Sequence, residues 1–243
     1  FRAYPFPSPR ALYTKGGLEL IHNTEAEKAQ LLSGLGINVN LGPVCDIATD
    51  SGAFLYSRSL GQDAETTSQV ISAIVNLMSQ NHIGSVLKHF PGYGNNADTH
   101  TGIAQDSRSL AELEGKDLLP FAAGIQAGCG AVMVGHVIVE AMDGSLPASL
   151  SPAVHEYLRD TMGFTGVIMT DDLVMQAITD QYGAGEAAVM AVLAGNDLLC
   201  STEYATQYQA VLQAVLDGRI SVDTLNAAVR HVLVWKQQVA SYG

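Results

Sequence analysis

The chain has 243 residues with 12 basic and 24 acidic side chains, which gives a formal net charge of −12 at pH 7, and 47% of its residues are hydrophobic. This composition is typical of a globular protein and excludes an intrinsically disordered chain, which is poor in hydrophobic residues. The acidic balance, without a cluster of Lys and Arg, argues against nucleic acid as a partner. No apolar run reaches the roughly 18 residues that a membrane helix needs, so we expect no membrane insertion.

Neither the cysteines nor the first residues indicate a secreted protein. Cys45, Cys129 and Cys200 are widely spaced and form no C-x-x-C pair, so we expect neither a disulfide framework nor a metal site. They are expected to be small buried hydrophobic side chains. The first residues show no charged segment followed by an apolar one, which favours a cytoplasmic protein and leaves a secreted or lipid-anchored form as the alternative.

Short apolar runs alternate with longer segments whose apolar residues recur at helical spacing. Strands are predicted at 37–44, 84–90, 131–137, 166–170 and 197–200. Helices are predicted at 25–35, 65–80, 110–127, 152–161, 185–194, 205–216 and 221–238. The strands are rich in Val, Ile, Leu and Met without polar alternation, as in parallel strands covered on both faces. The order therefore predicts an α/β fold with a parallel sheet.

Two α/β architectures fit this alternation: an open doubly wound sheet and a TIM-type (β/α)8 barrel. No G-x-G-x-x-G follows the first predicted strand, and several strands are followed by residues of catalytic type, which favours the barrel. Those residues are Asp46, Lys88, His89, His136, Asp171 and Asp172. We expect residues 1–243 to form a single catalytic barrel domain. Because five strands are fewer than eight and no initiator Met is present, we also expect that the first βα units are missing from this chain.

The densest polar stretch is K-H-F-P-G-Y-G-N-N-A-D-T-H, from Lys88 to His100, where a strand ends in a loop rich in Gly and Pro. Asp98 and His100 are two residues apart, so in an extended segment both side chains point to the same side. A carboxylate in that place orients an imidazole and tunes its basicity. The alternative is a solvated loop in which the two residues have no joint role.

The second polar stretch is M-T-D-D-L-V-M, from Met169 to Met175, directly after an apolar strand. Strand alternation lets only one of the adjacent carboxylates, Asp171 and Asp172, face a pocket. The alternative is that these aspartates cap the next helix. His136 follows another strand, and its sequence context fits a pocket residue and a buried core histidine equally well.

Together these stretches resemble glycoside hydrolase family 3, in its bacterial β-N-acetylglucosaminidase branch. The resemblance covers nearly the whole chain and rests on ordered motifs: S-R-S-L-G at 57–61, K-H-F-P-G-x-G with D-T-H at 88–100, L-L-P-F at 118–121, P-A-S-L-S at 147–151, G-F-T-G-V-I-M-T-D-D-L at 163–173 and A-G-N-D-L-L at 194–199. Tyr93 departs from the family, which often has His there, and the loop before Asp98 is one residue shorter.

The resemblance implies a retaining hydrolase that releases terminal β-linked N-acetylglucosamine from peptidoglycan fragments or chitooligosaccharides. It implies Asp171 as the nucleophile, and His100 as the acid/base, supported by Asp98. It also implies sugar binding by Arg58, Lys88, His89 and Arg2. We expect no cofactor and no metal.

Other activities fit the same residues. A neutral histidine does not repel phosphate, so phosphorolysis of the same glycosides is one alternative, and β-glucosidase activity is another. Without the family resemblance, Lys88 would suggest an aldolase or lyase that forms a Schiff base. The remaining alternative is a protein that binds glycans without cleaving them.

Overall fold

The computed structural model describes residues 5–94, 102 and 104–239. These residues form six strands: β1 (Val39–Asn40), β2 (Gly84–Phe90), β3 (Gln105–Asp106), β4 (Ala131–Val134), β5 (Ile138–Val139) and β6 (Val167–Thr170). The main sheet is parallel throughout, with the strand order β1-β2-β4-β6. Strands β4 and β6 are buried along their whole length, as their uninterrupted apolar sequences predict.

Two of the predicted strands are only partly regular. In the first, at 37–44, β1 covers two residues, but the chain stays hydrogen-bonded to β2 as far as Cys45, whose N–H donates to the Lys88 carbonyl at 2.7 Å. Pro43 has no N–H to donate, which interrupts the regular strand, although its carbonyl accepts from the Lys88 N–H at 3.2 Å. The last predicted strand, at 197–200, is reduced to a bridge between Leu198 and Met169 on β6.

A second sheet was not predicted. Strand β3 pairs in parallel with β5, and the two strands are two residues long each. Such short pairs lack the apolar alternation that marks a strand in the sequence. The predicted strand at 131–137 is too long by three residues, since β4 ends at Val134 and β5 begins only at Ile138.

Nine α-helical segments surround the sheet in the described part of the chain: α1 (Pro9–Gly34), α2 (Ala64–Gln80), α3 (Leu110–Glu112), α4 (Leu118–Gln126), α5 (Pro152–Glu156), α6 (Gln176–Thr179), α7 (Ala184–Ala194), α8 (Tyr204–Leu216) and α9 (Val222–Val239). The predicted helices at 110–127 and 152–161 each contain a π-helical segment, at Leu113–Asp117 and Tyr157–Thr161. Helix α6 was not predicted. No helix in the described ranges is both long and apolar enough to cross a bilayer.

Helix α1 begins 16 residues before the predicted start at Glu25. Ser8 caps its first turn and Pro9 follows, a start signal that the sequence contains. The helical pattern is interrupted at Gly16 and Gly17, whose backbone angles are not helical. The missed first half therefore reflects this kink, which breaks the apolar periodicity.

The core leaves one end of the sheet available for a site. Trp235 and Val239 of α9 pack over the amino ends of β2 and β4, so close to Gly84 and Gly130 that a Cβ at Gly130 would lie 2.3 Å from the Trp235 Nε1 atom. The amino ends of these strands are therefore covered by α9. The polar side chains that follow the strands lie at the opposite, carboxyl ends.

Candidate active site

Three side chains from three different strand ends meet at the carboxyl edge of the sheet. Asp46 follows the extended chain that contains β1, His89 lies in β2, and Asp171 follows β6. The Asp171 N–H donates to the Val134 carbonyl at 2.9 Å, which extends the pairing of β6 with β4 and fixes the backbone that carries the carboxylate. Parallel strands present their carboxyl ends at one edge, so residues far apart in sequence converge there.

Asp46 is a fully buried carboxylate that accepts three hydrogen bonds. Its Oδ2 accepts from the His89 backbone N–H and from the His89 ring Nδ1, both at 2.9 Å, and its Oδ1 accepts from the Tyr93 N–H at 2.8 Å. A buried carboxylate is tolerated only when its oxygens are satisfied in this way. Asp46 therefore holds both the ring of His89 and the backbone that follows it.

The bond to Asp46 requires a proton on His89 Nδ1, because a carboxylate oxygen can only accept. The other ring nitrogen, Nε2, then faces Asp171, with its Oδ2 atom 4.0 Å away. The His89 side chain is 4% exposed and that of Asp171 is 21% exposed. The row Asp46–His89–Asp171 thus runs from the protein interior to an accessible carboxylate.

The net pKa of Asp171 lies below the usual value of an aspartate. Burial raises the pKa of this carboxyl, but His89, the Asp172 N–H and the Lys88 ammonium together lower it by a larger amount. The Asp172 N–H donates to Asp171 Oδ1 at 2.9 Å. Asp171 is consequently ionised at neutral pH, the state that a nucleophilic carboxylate requires.

Asp172 has a different environment from its neighbour. Its Oδ1 accepts from the backbone N–H groups of Val174 and Thr202, at 3.2 and 3.3 Å, so its side chain secures the turn that follows β6. The two aspartates therefore differ in their contacts: Asp172 stabilises the turn but does not cap α6, whose N-cap residue is Met175, and Asp171 faces the accessible side.

His136 is a buried structural residue in this arrangement. Its Nε2 donates to the Asp172 carbonyl at 3.0 Å, and its Nδ1 accepts from the Ser149 hydroxyl at 2.7 Å. Burial lowers the pKa of His136, which keeps the ring neutral. Of the two interpretations left open by the sequence, the structure therefore favours the core histidine, which steadies the backbone beside Asp171.

Two cations lie next to this row of residues. Arg58 and Lys88 both line a cleft of about 350 Å³ between α1 and the chain around β1. Burial and the nearby Arg58 lower the pKa of Lys88, while Asp171 and Asp46 raise it, and the net shift is downward. The charges of Arg58 and of both carboxylates therefore act on Lys88, which lines the same cleft as Arg58.

Tyr93 is almost completely buried beside His89. Its ring meets the His89 ring edge-on, with centroids 5.5 Å apart, and its N–H is held by Asp46. At this position the resemblance leads one to expect a histidine. The tyrosine thus packs against a site residue.

Three of the predicted site residues, Arg2, Asp98 and His100, lie outside the described residues. Within the described ranges, no group of three His, Cys, Asp or Glu side chains could hold a metal ion. Cys45 and Cys129 are buried and Cys200 is half-buried, and the three are free thiols. The sequence places Asp46 at a strand end but predicts no role for it; its position after the apolar run at 37–44 is the available signal.

The family model for the glycosyl hydrolase family 3 N-terminal domain matches residues 2–234. The chain belongs to this family. The match includes every site residue described above. It confirms the resemblance that the ordered motifs indicated.

Curated relatives point the same way. The chain is 31% identical over 242 residues to "Beta-hexosaminidase LpqI" of Mycobacterium tuberculosis, covering 95% of this chain and 62% of that protein. It is 36% identical over 212 residues to a "Beta-hexosaminidase" of Stenotrophomonas maltophilia, covering 81% of this chain and 62% of that protein. The chain therefore spans somewhat less than two thirds of the length of these relatives.

Solved structures confirm the fold. A family 3 β-N-acetylglucosaminidase from Paenibacillus sp. superposes with a TM-score of 0.92 at 35% identity, covering 98% of this chain and 47% of that one. The M. tuberculosis LpqI structure gives a TM-score of 0.86 at 30% identity, covering 95% and 70% of the two chains. These neighbours are of the TIM-barrel type, and the parallel sheet described here belongs to that architecture.

Proposed function

We propose that this domain carries the catalytic site of a retaining glycoside hydrolase that removes terminal β-linked N-acetylglucosamine through a covalent intermediate on Asp171. The observation that carries the proposal is the ionised, partly exposed carboxylate of Asp171 at the end of β6, facing His89 Nε2 at 4.0 Å. The names of the relatives, β-hexosaminidase and β-N-acetylglucosaminidase, support the choice of sugar.

In the first step, the Asp171 carboxylate forms a bond to the anomeric carbon while the bond from that carbon to the leaving oxygen breaks. The leaving oxygen takes a proton, which we assign to His100 with Asp98 as its orienting carboxylate. In the second step, His100 removes a proton from water, the water oxygen attacks the anomeric carbon, and Asp171 leaves. Two displacements at one carbon retain its configuration.

Arg58, Lys88 and His89 are proposed to bind the hydroxyl groups of the terminal sugar, together with Arg2. Lys88 and Arg58 supply donors from the cleft wall, and His89 presents Nε2 toward Asp171. Hydrogen bonds from charged donors to sugar hydroxyls are stronger than neutral ones and fix the ring relative to the nucleophile. Peptidoglycan fragments and chitooligosaccharides are the proposed substrates, since both end in this sugar.

The test compares 4-nitrophenyl glycosides of β-N-acetylglucosamine and β-glucose with the full-length protein, and follows the first-formed sugar anomer by NMR. We expect faster release from the N-acetylglucosaminide, a β-configured product, and loss of activity in Asp171→Asn but not in Asp172→Asn. An α-configured first product would overturn the proposal, as would full activity of Asp171→Asn.

Three further experiments distinguish the alternative activities from hydrolysis. N-acetylglucosamine 1-phosphate formed in phosphate buffer would show phosphorolysis. Inactivation by borohydride with a carbonyl compound would show a Schiff base on Lys88. Binding of chitobiose without cleavage of any glycoside would show a glycan-binding protein.

A further inference from the structure

Arg10, in the first turn of α1, reaches across to the segment that carries Arg58. Its Nε donates to the Tyr56 carbonyl at 2.8 Å, and its Nη2 donates to the Ala48 carbonyl at 2.8 Å and to the Ser59 hydroxyl at 3.0 Å. Its guanidinium carbon lies 3.7 Å from the centre of the Tyr56 ring. One side chain thus binds residues 48, 56 and 59 at the same time.

The segment from residue 46 to residue 61 needs such support because it contains turns and no helix or strand. It begins at Asp46, which holds His89, and Arg58 lies near its end. Backbone hydrogen bonds inside it are short-range, such as the Arg58 N–H to the Leu55 carbonyl at 3.1 Å. A segment without ladder partners depends on side chains to fix its course.

Gly61 completes the slot in which the Arg10 guanidinium lies. A Cβ at Gly61 would be 2.2 Å from Arg10 Nη1 and 2.3 Å from Arg10 Cζ. The guanidinium is therefore enclosed between the Tyr56 ring and the Gly61 backbone. Lysine cannot reproduce this contact, because an ammonium lacks the planar fork that bonds several acceptors and stacks on a ring.

The position of Arg58 also has an electrostatic cost. Arg58 and Lys88 line the same cleft, and the charge of Arg58 contributes to the lowered pKa of Lys88. Two like charges repel each other, so Arg58 must be held in place, by the Phe54 ring, whose centre lies 5.6 Å from the guanidinium carbon, and through its backbone. Arg10 anchors the segment on both sides of Arg58, through the Tyr56 carbonyl and the Ser59 hydroxyl.

We propose that Arg10 is a positioning residue for substrate binding: by fixing residues 48–59 it keeps Arg58 beside Lys88 in the cleft. This inference rests on the proposed role of Arg58 in sugar binding. Loss of the Arg10 contacts should weaken binding of the glycoside and leave the chemical step nearly unchanged, because Asp171 belongs to a different strand end and Asp46 is held by its own bonds to His89 and Tyr93.

The test measures KM and kcat of the full-length protein for an aryl β-N-acetylglucosaminide. We expect Arg10→Lys and Arg10→Met to raise KM about tenfold, as for the loss of one charged hydrogen bond, with kcat within about twofold of wild type. The double variant Arg10→Met/Arg58→Ala should have a KM close to that of Arg58→Ala alone, because the first residue acts through the second.

Arg159 offers a matched control. It donates to the carbonyls of Phe164 and Gly166 and to the Asp197 carboxylate, and it lies 5.6 Å from the Phe164 ring centre, before the amino end of β6. Arg159→Met should therefore destabilise the protein and leave KM unchanged. If Arg159→Met raises KM as much as Arg10→Met does, the rise in KM follows from a general loss of stability and the inference is wrong.

A second pair of variants does not touch Arg10 itself. Gly61→Ala pushes a methyl group into the guanidinium, whereas Gly36→Ala, at the similar φ of 72°, meets open space. We expect a raised KM for Gly61→Ala and an unchanged one for Gly36→Ala. If Arg58→Ala leaves KM unchanged, the binding role of Arg58 fails; if it raises KM while the Arg10 and Gly61 variants do not, only the present inference fails.

Discussion

Asp46 binds His89 twice, through the backbone N–H and through the ring Nδ1, and both bonds end on the same carboxylate oxygen, Oδ2, at 2.9 Å. The orientation of the His89 ring, and with it the direction of Nε2, is therefore set by a residue more than forty positions earlier in the chain. This contact joins the first strand end to the second and directs His89 toward Asp171.

Asp46→Asn should lower both stability and activity. The carboxylate accepts hydrogen bonds from N–H donors on both of its oxygens, and an amide NH2 group in place of one oxygen cannot accept. We therefore expect a loss of about 2–3 kcal/mol in the free energy of unfolding. The His89 ring would lose its fixed orientation, and kcat/KM should fall. Urea denaturation and steady-state kinetics measure the two effects. The exposed Asp180→Asn is the control, and an Asp46→Asn protein with wild-type kcat/KM would contradict the orienting role.

Two buried histidines should make stability depend on pH. Burial lowers the pKa of His136 and of His155, whereas histidines of the unfolded chain titrate near the ordinary value of about 6.5. Between about pH 6.5 and the lower pKa values that these histidines have in the folded protein, the unfolded state binds more protons than the folded state. The free energy of unfolding should therefore fall as the pH falls through this window, by at most about 2.7 kcal/mol per pH unit for two groups, and level off below it.

Urea denaturation between pH 7.5 and pH 5 tests this dependence. Each of His136→Gln and His155→Gln should reduce the slope of the free energy of unfolding against pH, whatever its effect on stability at pH 7.5. His22→Gln, at an exposed position on α1, should keep the wild-type slope. Equal slopes in all three variants would show that these buried rings do not carry the pH dependence.

The assignment of His100 predicts a dependence on the leaving group. His100→Ala should impair cleavage of glycosides with poor leaving groups, such as a second sugar, by about 10²–10⁴, and impair activated dinitrophenyl glycosides far less. Asp98→Ala should follow the same trend, and the double variant should be little worse than His100→Ala. The measurement is kcat/KM across aryl glycosides of graded leaving ability. If kcat/KM falls equally for all glycosides, so that its dependence on the pKa of the leaving group is that of the wild type, His100 is a binding residue.

The sequence predicted the sheet and the strand ends better than it predicted the contacts between them. The strand at 166–170 matches β6 within one residue, because its apolar run is bounded by Gly166 and by polar Asp171. The first half of α1 and the pair β3–β5 were missed, since a kink and two-residue strands leave no periodic pattern. The link from Asp46 to His89 could not be predicted, because it depends on how two strands lie side by side.

The two adjacent aspartates differ in what they contact, and this difference predicts opposite effects of substitution. Asp172→Asn keeps an acceptor oxygen for the Val174 and Thr202 N–H groups, so activity should stay within about tenfold of wild type. Asp171→Asn removes the proposed nucleophile and should lower kcat by about 10⁴ or more. Comparable losses in kcat for both variants would contradict the division of roles.

The central claim is that Asp171 forms the covalent intermediate, and the most direct measurement is to trap that intermediate. The full-length protein is incubated with a fluorinated slow substrate, digested, and analysed by peptide mass spectrometry with fragmentation between the two aspartates. We predict a glycosyl label on Asp171, and none on that peptide in Asp171→Asn. A label on Asp172, or an unlabelled protein that releases a product of inverted configuration, would contradict the account.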